Sequence, residues 1–189
     1  MTVYQHLDLN IGSSILADDQ ILYVGKNPAL ASSWHWTLKL KDLNPKFITL
    51  LESKDLHVIH AEVFKTNYAN QSWPIHIDAD NGVGDVPKIN WIYGNQECPM
   101  IWYKEKDPTN RTAQKTTATG TGYYTFDPGI VEEIGRTFIK TPTIIQAGIP
   151  HTVINQSGKT RWCVSVVLKK GDDMLTFDQL VAEFKEYTV

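Results

Sequence analysis

Between residues 56 and 169 the apolar residues of this chain keep no helical period. Short segments rich in β-branched and aromatic residues stand there instead: Leu56–Thr66, Lys88–Tyr93, Pro99–Lys104, Thr137–Ile139, Thr143–Ala147 and Arg161–Lys169. Clusters of Asn, Gly, Asp and Pro separate them, and these residues end strands because they supply turn geometry. Many short strands joined by turns predict an antiparallel barrel or jelly roll, not β-α units around a parallel sheet. Ile21–Val24 and the stretch Trp34-His35-Trp36 read as flanking strands or a covering layer.

Helical signals stand near the two ends. Asn44-Pro45 joins an N-cap to a first-turn proline, and Phe47, Leu50 and Leu51 then share a face, which predicts a short helix over 45–54. Thr176 and Gln179 have capping-box spacing. Phe177, Leu180, Val181 and Phe184 follow at helical intervals, which predicts a helix over 177–187. Residues 104–122 are polar and rich in Thr, and read as a long loop, either an excursion or a lid. Residues 1–189 are therefore expected to form one domain, with a barrel core over 56–170 and a C-terminal helix over 176–187.

Composition narrows the function classes. Length is ample for a self-sufficient core. Lys and Arg total 18 and Asp and Glu 21, a net charge of −3, so bulk nucleic-acid binding is not expected. No apolar run has the length of a membrane span. Residues 1–10 lack the basic start and apolar stretch of an export signal, so no membrane attachment and a cytoplasmic location are expected. Cys98 and Cys163 are then expected as reduced thiols. Without export, the Asn-x-Ser/Thr triplets at Asn70, Asn110 and Asn155 carry no meaning.

The densest chemical signal is Pro74-Ile75-His76-Ile77-Asp78. Along an extended chain, residues two apart point the same way, so His76 and Asp78 share one face and Ile75 and Ile77 the other. An imidazole beside a carboxylate makes two arms of a metal site. A second histidine, His151, follows a Gly148-Ile149-Pro150 turn at the start of another strand-like segment. Ten residues on, Arg161 opens an apolar strand. The chain has only three arginines, Arg111, Arg136 and Arg161, against fifteen lysines. An arginine inside an apolar strand must snorkel or find an anion, and its planar fork suits bidentate capture of a carboxylate.

His-x-Asp, a distal His and a basic residue ten positions later resemble the Fe(II)- and 2-oxoglutarate-dependent oxygenases. The likeness is nearest to their aspartyl/asparaginyl β-hydroxylase-like branch, to whose last strands residues 143–165 are similar. The resemblance runs from about His57 to Lys169. It implies a mainly β fold, the double-stranded β-helix (a cupin-like jelly roll), with a short helix before the barrel and a C-terminal helix. It further implies that His76, Asp78 and His151 ligate Fe(II) as a 2-His-1-carboxylate triad, and that Arg161 anchors the far carboxylate of 2-oxoglutarate. Asn90, Tyr68, Tyr103 and Ser165 are candidates for other co-substrate contacts. Cys163 stands where many members have Ser two residues after the Arg. The activity implied is hydroxylation of an amino acid, peptide or small metabolite.

Two other readings share much of this ground. Gly148-x-x-His151-x-x-x-Asn155 also matches the end of the second cupin motif, with Gln146 where that motif has Gly. A cupin-type metalloenzyme that uses no 2-oxoglutarate and a non-catalytic jelly-roll binding module are therefore the alternatives. The remaining histidines read as structural. His57 and His60, three apart on one strand, would face opposite sides if that strand is regular, and His35 reads as a packed or rim imidazole.

Overall fold

A computed structural model describes residues 2–12, 14–17, 35–66, 71–78, 86–107, 115–116 and 122–189. The strand expected over Ile21–Val24, Trp34, Tyr68 and most of the Thr-rich segment lie outside the described residues. The described residues are mainly β, with two α-helices among them.

Fourteen strands are described: β1 (Tyr4–His6), β2 (His35–Thr37), β3 (Leu56–Thr66), β4 (Gln71–Ser72), β5 (Ile75–Asp78), β6 (Pro87–Gly94), β7 (Pro99–Glu105), β8 (Lys115–Thr116), β9 (Gly122–Phe126), β10 (Val131–Phe138), β11 (Thr143–Gln146), β12 (His151–Asn155), β13 (Arg161–Lys170) and β14 (Asp173–Met174). They form two antiparallel sheets. The first runs β1-β11-β6-β13-β3-β2, with β14 beside β13, and the second runs β10-β7-β12-β5-β9-β8, with β4 beside β12. The expected barrel is thus two stacked sheets and not a closed cylinder. Among the described residues the strand ladders pair only within their own sheet, and side chains fill the gap between.

Burial follows from this layering. β6 and β13, central in the first sheet, are buried on both faces and so read as nearly continuous apolar runs. One face packs under helix α1 (Pro45–Glu52), helix α2 (Phe177–Glu183) and the N-terminal segment, through Phe47, Leu51, Trp91, Val164, Val166, Leu180 and Phe184. The other face meets the second sheet through Ile92, Met100, Trp102, Ile145 and Cys163. A smaller cluster, Ile75, Ile77, Phe126 and Val131, covers the far side of the second sheet.

Both helices begin at the expected caps. Asn44 accepts from Lys46 N at 2.9 Å, and Thr176 and Gln179 form the reciprocal capping box. Both end earlier than expected, α1 at Glu52 and α2 at Glu183, after which a 3-10 turn spans Lys185–Tyr187.

The histidine pair on β3 differs from expectation. Ile59 is an extra residue in the β3–β13 register, since His60 faces Val167 and Val58 faces Leu168. The bulge leaves His57 and His60 two register steps apart, on one side of the sheet. They still do not act together: His57 meets Asp55 and His60 meets Glu62. Gly94 ends β6 with φ at +74°, and a Cβ there would lie 2.5 Å from the Thr160 carbonyl oxygen. Only glycine lets the chain close so tightly at the head of β13, where Arg161 sits opposite Gly94.

Candidate metal centre

β5 and β12 are neighbours in the second sheet, and His76 pairs directly with His151 across them. The side-chain alternation of β5 is as expected. Ile75 and Ile77 enter the outer apolar cluster, which turns His76 and Asp78 toward the first sheet. One donor atom from each of His76, Asp78 and His151 lies within 4.8 Å of the others, and the two imidazole centroids are 4.4 Å apart. Among the described residues this is the one group of His, Cys, Asp and Glu so arranged.

The tautomers are set by the backbone. His76 Nδ1 donates to the Pro74 carbonyl at 2.8 Å, and His151 Nδ1 donates to the Ile149 carbonyl at 2.9 Å. Each ring is pinned by the carbonyl two residues earlier, so each Nε2 is left as an acceptor facing the other ligands. That is the usual support for a metal-binding imidazole. Burial, reinforced by the neighbouring His76, pushes His151 down to about 3, so its ring stays neutral and able to ligate.

Asp78 is paired before any ion arrives. Lys88, buried on β6 of the opposite sheet, places Nζ 2.7 Å from Asp78 Oδ2, while Asp78 Oδ1 lies 3.7 Å from His76 Nε2. Burial by itself would raise the Asp78 carboxyl, but Lys88, His76 and His151 outweigh it and hold it at about 2. The Lys88 ammonium is kept charged in turn, because the Asp78 and Glu62 carboxylates overcome its burial.

These groups line a cavity of about 400 Å³ between the sheets. Asn90 and Ser165, paired across β6 and β13, contribute its polar floor, and Phe64, Trp73, Met100, Ile145 and Val153 contribute apolar walls. Arg161 lines it too, 3% exposed, with no ion pair among the described residues and its Nε without a hydrogen-bond partner. Asn90 Oδ1 is likewise buried and unpartnered. Buried polar groups are nearly always satisfied, so Arg161 Nε and Asn90 Oδ1 could meet polar atoms of a molecule in the cavity.

His76, Asp78, His151, Arg161, Asn90 and Ser165 are therefore brought to one cavity. Tyr103 is not. It packs on the far side of the second sheet, with Ile75 and Val131, near Glu133 and Arg136. Tyr68 lies outside the described residues. Two residues went unread in the sequence. Lys88 opens an apolar strand just as Arg161 does, and the argument that singles out the arginine applies to it. Glu62 on β3 lines the same cavity, where His35 and His60 both contact its Oε1, at 2.8 and 2.7 Å. His35 is the packed imidazole expected, stacked on Phe64.

The donor set fits a divalent transition metal, and four charged side chains around the cavity already balance: Asp78 and Glu62 against Lys88 and Arg161. Comparison with protein-family models and with curated proteins finds no match for this chain.

Proposed function

We propose that this protein is an Fe(II)- and 2-oxoglutarate-dependent dioxygenase that hydroxylates an amino acid, a peptide or a small metabolite. The observation that carries the reading is the buried guanidinium of Arg161, with no ion pair among the described residues and its Nε unpartnered, in the same cavity as two Nε2-presenting histidines and an aspartate. Strand order lends support. In chain order β3, β5, β6, β7, β10, β11, β12 and β13 alternate between the sheets as a double-stranded β-helix requires, with β7 and β10 the one consecutive pair within a sheet. On this reading β1, β2, β4, β8, β9 and β14 are additions to that core.

His76 and His151 offer Nε2, and Asp78 offers Oδ1, so three ligands on one side leave about three octahedral positions open. Bound there, Fe(II) with 2-oxoglutarate supplies an O2-derived oxidant for C–H hydroxylation, with release of succinate and CO2. Arg161 holds the distal carboxylate through its two-pronged fork, and Asn90 and Ser165 lie along the cavity floor to orient the rest of the diacid. The side chains balance among themselves, so a doubly charged cation calls for a doubly charged anion. Met100, Ile145 and Val153 exclude water from the bound molecule.

The test is anaerobic titration with Fe(II) and 2-oxoglutarate, read by the visible charge-transfer band of the chelated complex. R161A is expected to weaken 2-oxoglutarate binding roughly 10- to 100-fold while Fe(II) uptake persists, the loss of a charge-assisted pair. H76A is expected to lose Fe(II). An H76A chain with normal uptake defeats the triad assignment. Fe(II) binding to which 2-oxoglutarate adds nothing instead favours a cupin-type metalloenzyme. Succinate release across amino acids, peptides and small acids identifies the substrate.

A further inference from the structure

Lys88 stands on the first sheet, whereas all three candidate metal ligands stand on the second. Its side chain crosses the gap, is only 7% exposed, and ends on one particular oxygen of Asp78. That oxygen is Oδ2, at 2.7 Å, and the other, Oδ1, is the one turned toward His76. A carboxylate chelating a metal with both oxygens must turn both toward the ion. Here Oδ2 is held away by a charge-assisted bond to a largely buried ammonium. A divalent ion sharing Oδ2 would lie against that ammonium, like charge on like charge with little solvent to screen it.

We propose that Lys88 is a positioning residue that keeps Asp78 a one-oxygen ligand and thereby keeps a coordination position open. The inference rests on the metal-centre reading above. A three-atom protein set leaves about three of six positions free, enough for a ligand that chelates through two oxygens and for one more small molecule. Were Asp78 to chelate, only about two would remain, and a chelating co-substrate would fill both. Lys88 therefore guards the position that O2 needs. Its own charge does not repel the co-substrate, since that molecule is an anion.

Mn(II), which is stable in air and favours oxygen-rich octahedral sites, is the probe. Pulsed EPR in 17O-enriched water counts the waters on the bound ion. The wild-type chain is expected to hold Mn(II) with about three waters, falling to about one when 2-oxoglutarate is added. K88M frees Oδ2 and is expected to show about one water fewer in each state. K88R keeps the donor and the charge and is expected to restore the wild-type count. A wild-type ion with only two waters overturns the proposal whether or not K88M folds. So does a K88M chain that keeps three waters, or one that folds and takes up no Mn(II). A wild-type chain that binds no Mn(II) ends the metal-centre reading and this inference with it, whereas uptake with the wrong water count ends this inference alone.

Discussion

Two buried cations face the cavity from the first sheet, and they differ in whether an anion awaits them. Lys88 has Asp78, and Arg161 has no carboxylate among the described residues. A residue-level reading of the sequence finds Arg161 because arginine is rare here and its fork has few uses inside an apolar strand. It passes over Lys88 because one lysine of fifteen at a strand head looks like ordinary surface charge, and its pairing with Asp78 depends on a sheet-to-sheet contact that no spacing reveals. Glu62 is hidden for the same reason. Burial alone would raise its carboxyl, but contacts with His35 and His60 and the charge of Lys88 hold it well below the usual carboxylate range. A depressed folded value means the stabilisation is present above the unfolded value, near 4.3, and is lost as pH falls below it. Unfolding free energies from urea titrations between pH 6 and pH 3 are therefore expected to fall steeply in the wild type. The E62Q chain should fall less steeply, by at most about 1.4 kcal/mol per pH unit, the worth of one proton. Equal slopes would remove Glu62 from the acid limb.

Among the elements, those with a strong local signal were legible and those made by their neighbours were not. β3 and the caps of both helices stand where the sequence pattern puts them. β10 was visible only at its end, because it is an edge strand whose Glu132, Glu133 and Arg136 face water and so read as loop. β8 and β9 lie in or beside the Thr-rich segment read as a long loop. β9 forms because β5 offers a free edge, with Asp78 opposite Tyr123 and His76 opposite Thr125, so the strand carrying two ligands is flanked on both sides. Asn44 shows how an element can be tied to a distant one. Its Oδ1 caps α1, while its Nδ2 donates to the Ser14 and Ile11 carbonyls at 2.8 and 3.2 Å. An ordinary cap is worth about 1 kcal/mol. N44A is expected to cost about 2 kcal/mol by urea unfolding, since two carbonyls also lose their donor. N44D keeps the capping oxygen and loses the donors, so it should fall between N44A and the wild type. An N44D chain as stable as the wild type would reduce Asn44 to a simple cap.

At the scale of the molecule, the candidate metal centre is separate from the largest apolar cluster, though its cavity shares Met100 and Ile145 with the smaller cluster between the sheets. The largest cluster lies between the first sheet and the helices, and none of His76, Asp78, His151 or Arg161 belongs to it. The three candidate ligands are instead held in place by two backbone carbonyls and by Lys88, with no ion needed. Such a site differs from a structural zinc site, where the fold itself depends on the ion. Exhaustive chelation is therefore expected to leave the far-UV circular dichroism and the cooperativity of melting unchanged. Mn(II) at about 100 times its Kd then adds about 2.7 kcal/mol by mass action, since the folded chain binds it and the unfolded chain does not. For a chain of this length that corresponds to a rise in melting midpoint of roughly 5–10 °C. H151A should abolish the rise while keeping a cooperative melt, because the ring it removes serves the cavity and not the core. If chelation instead unfolds the chain, the ion is a strut between strands, and the open positions on which the proposed chemistry depends lose their purpose.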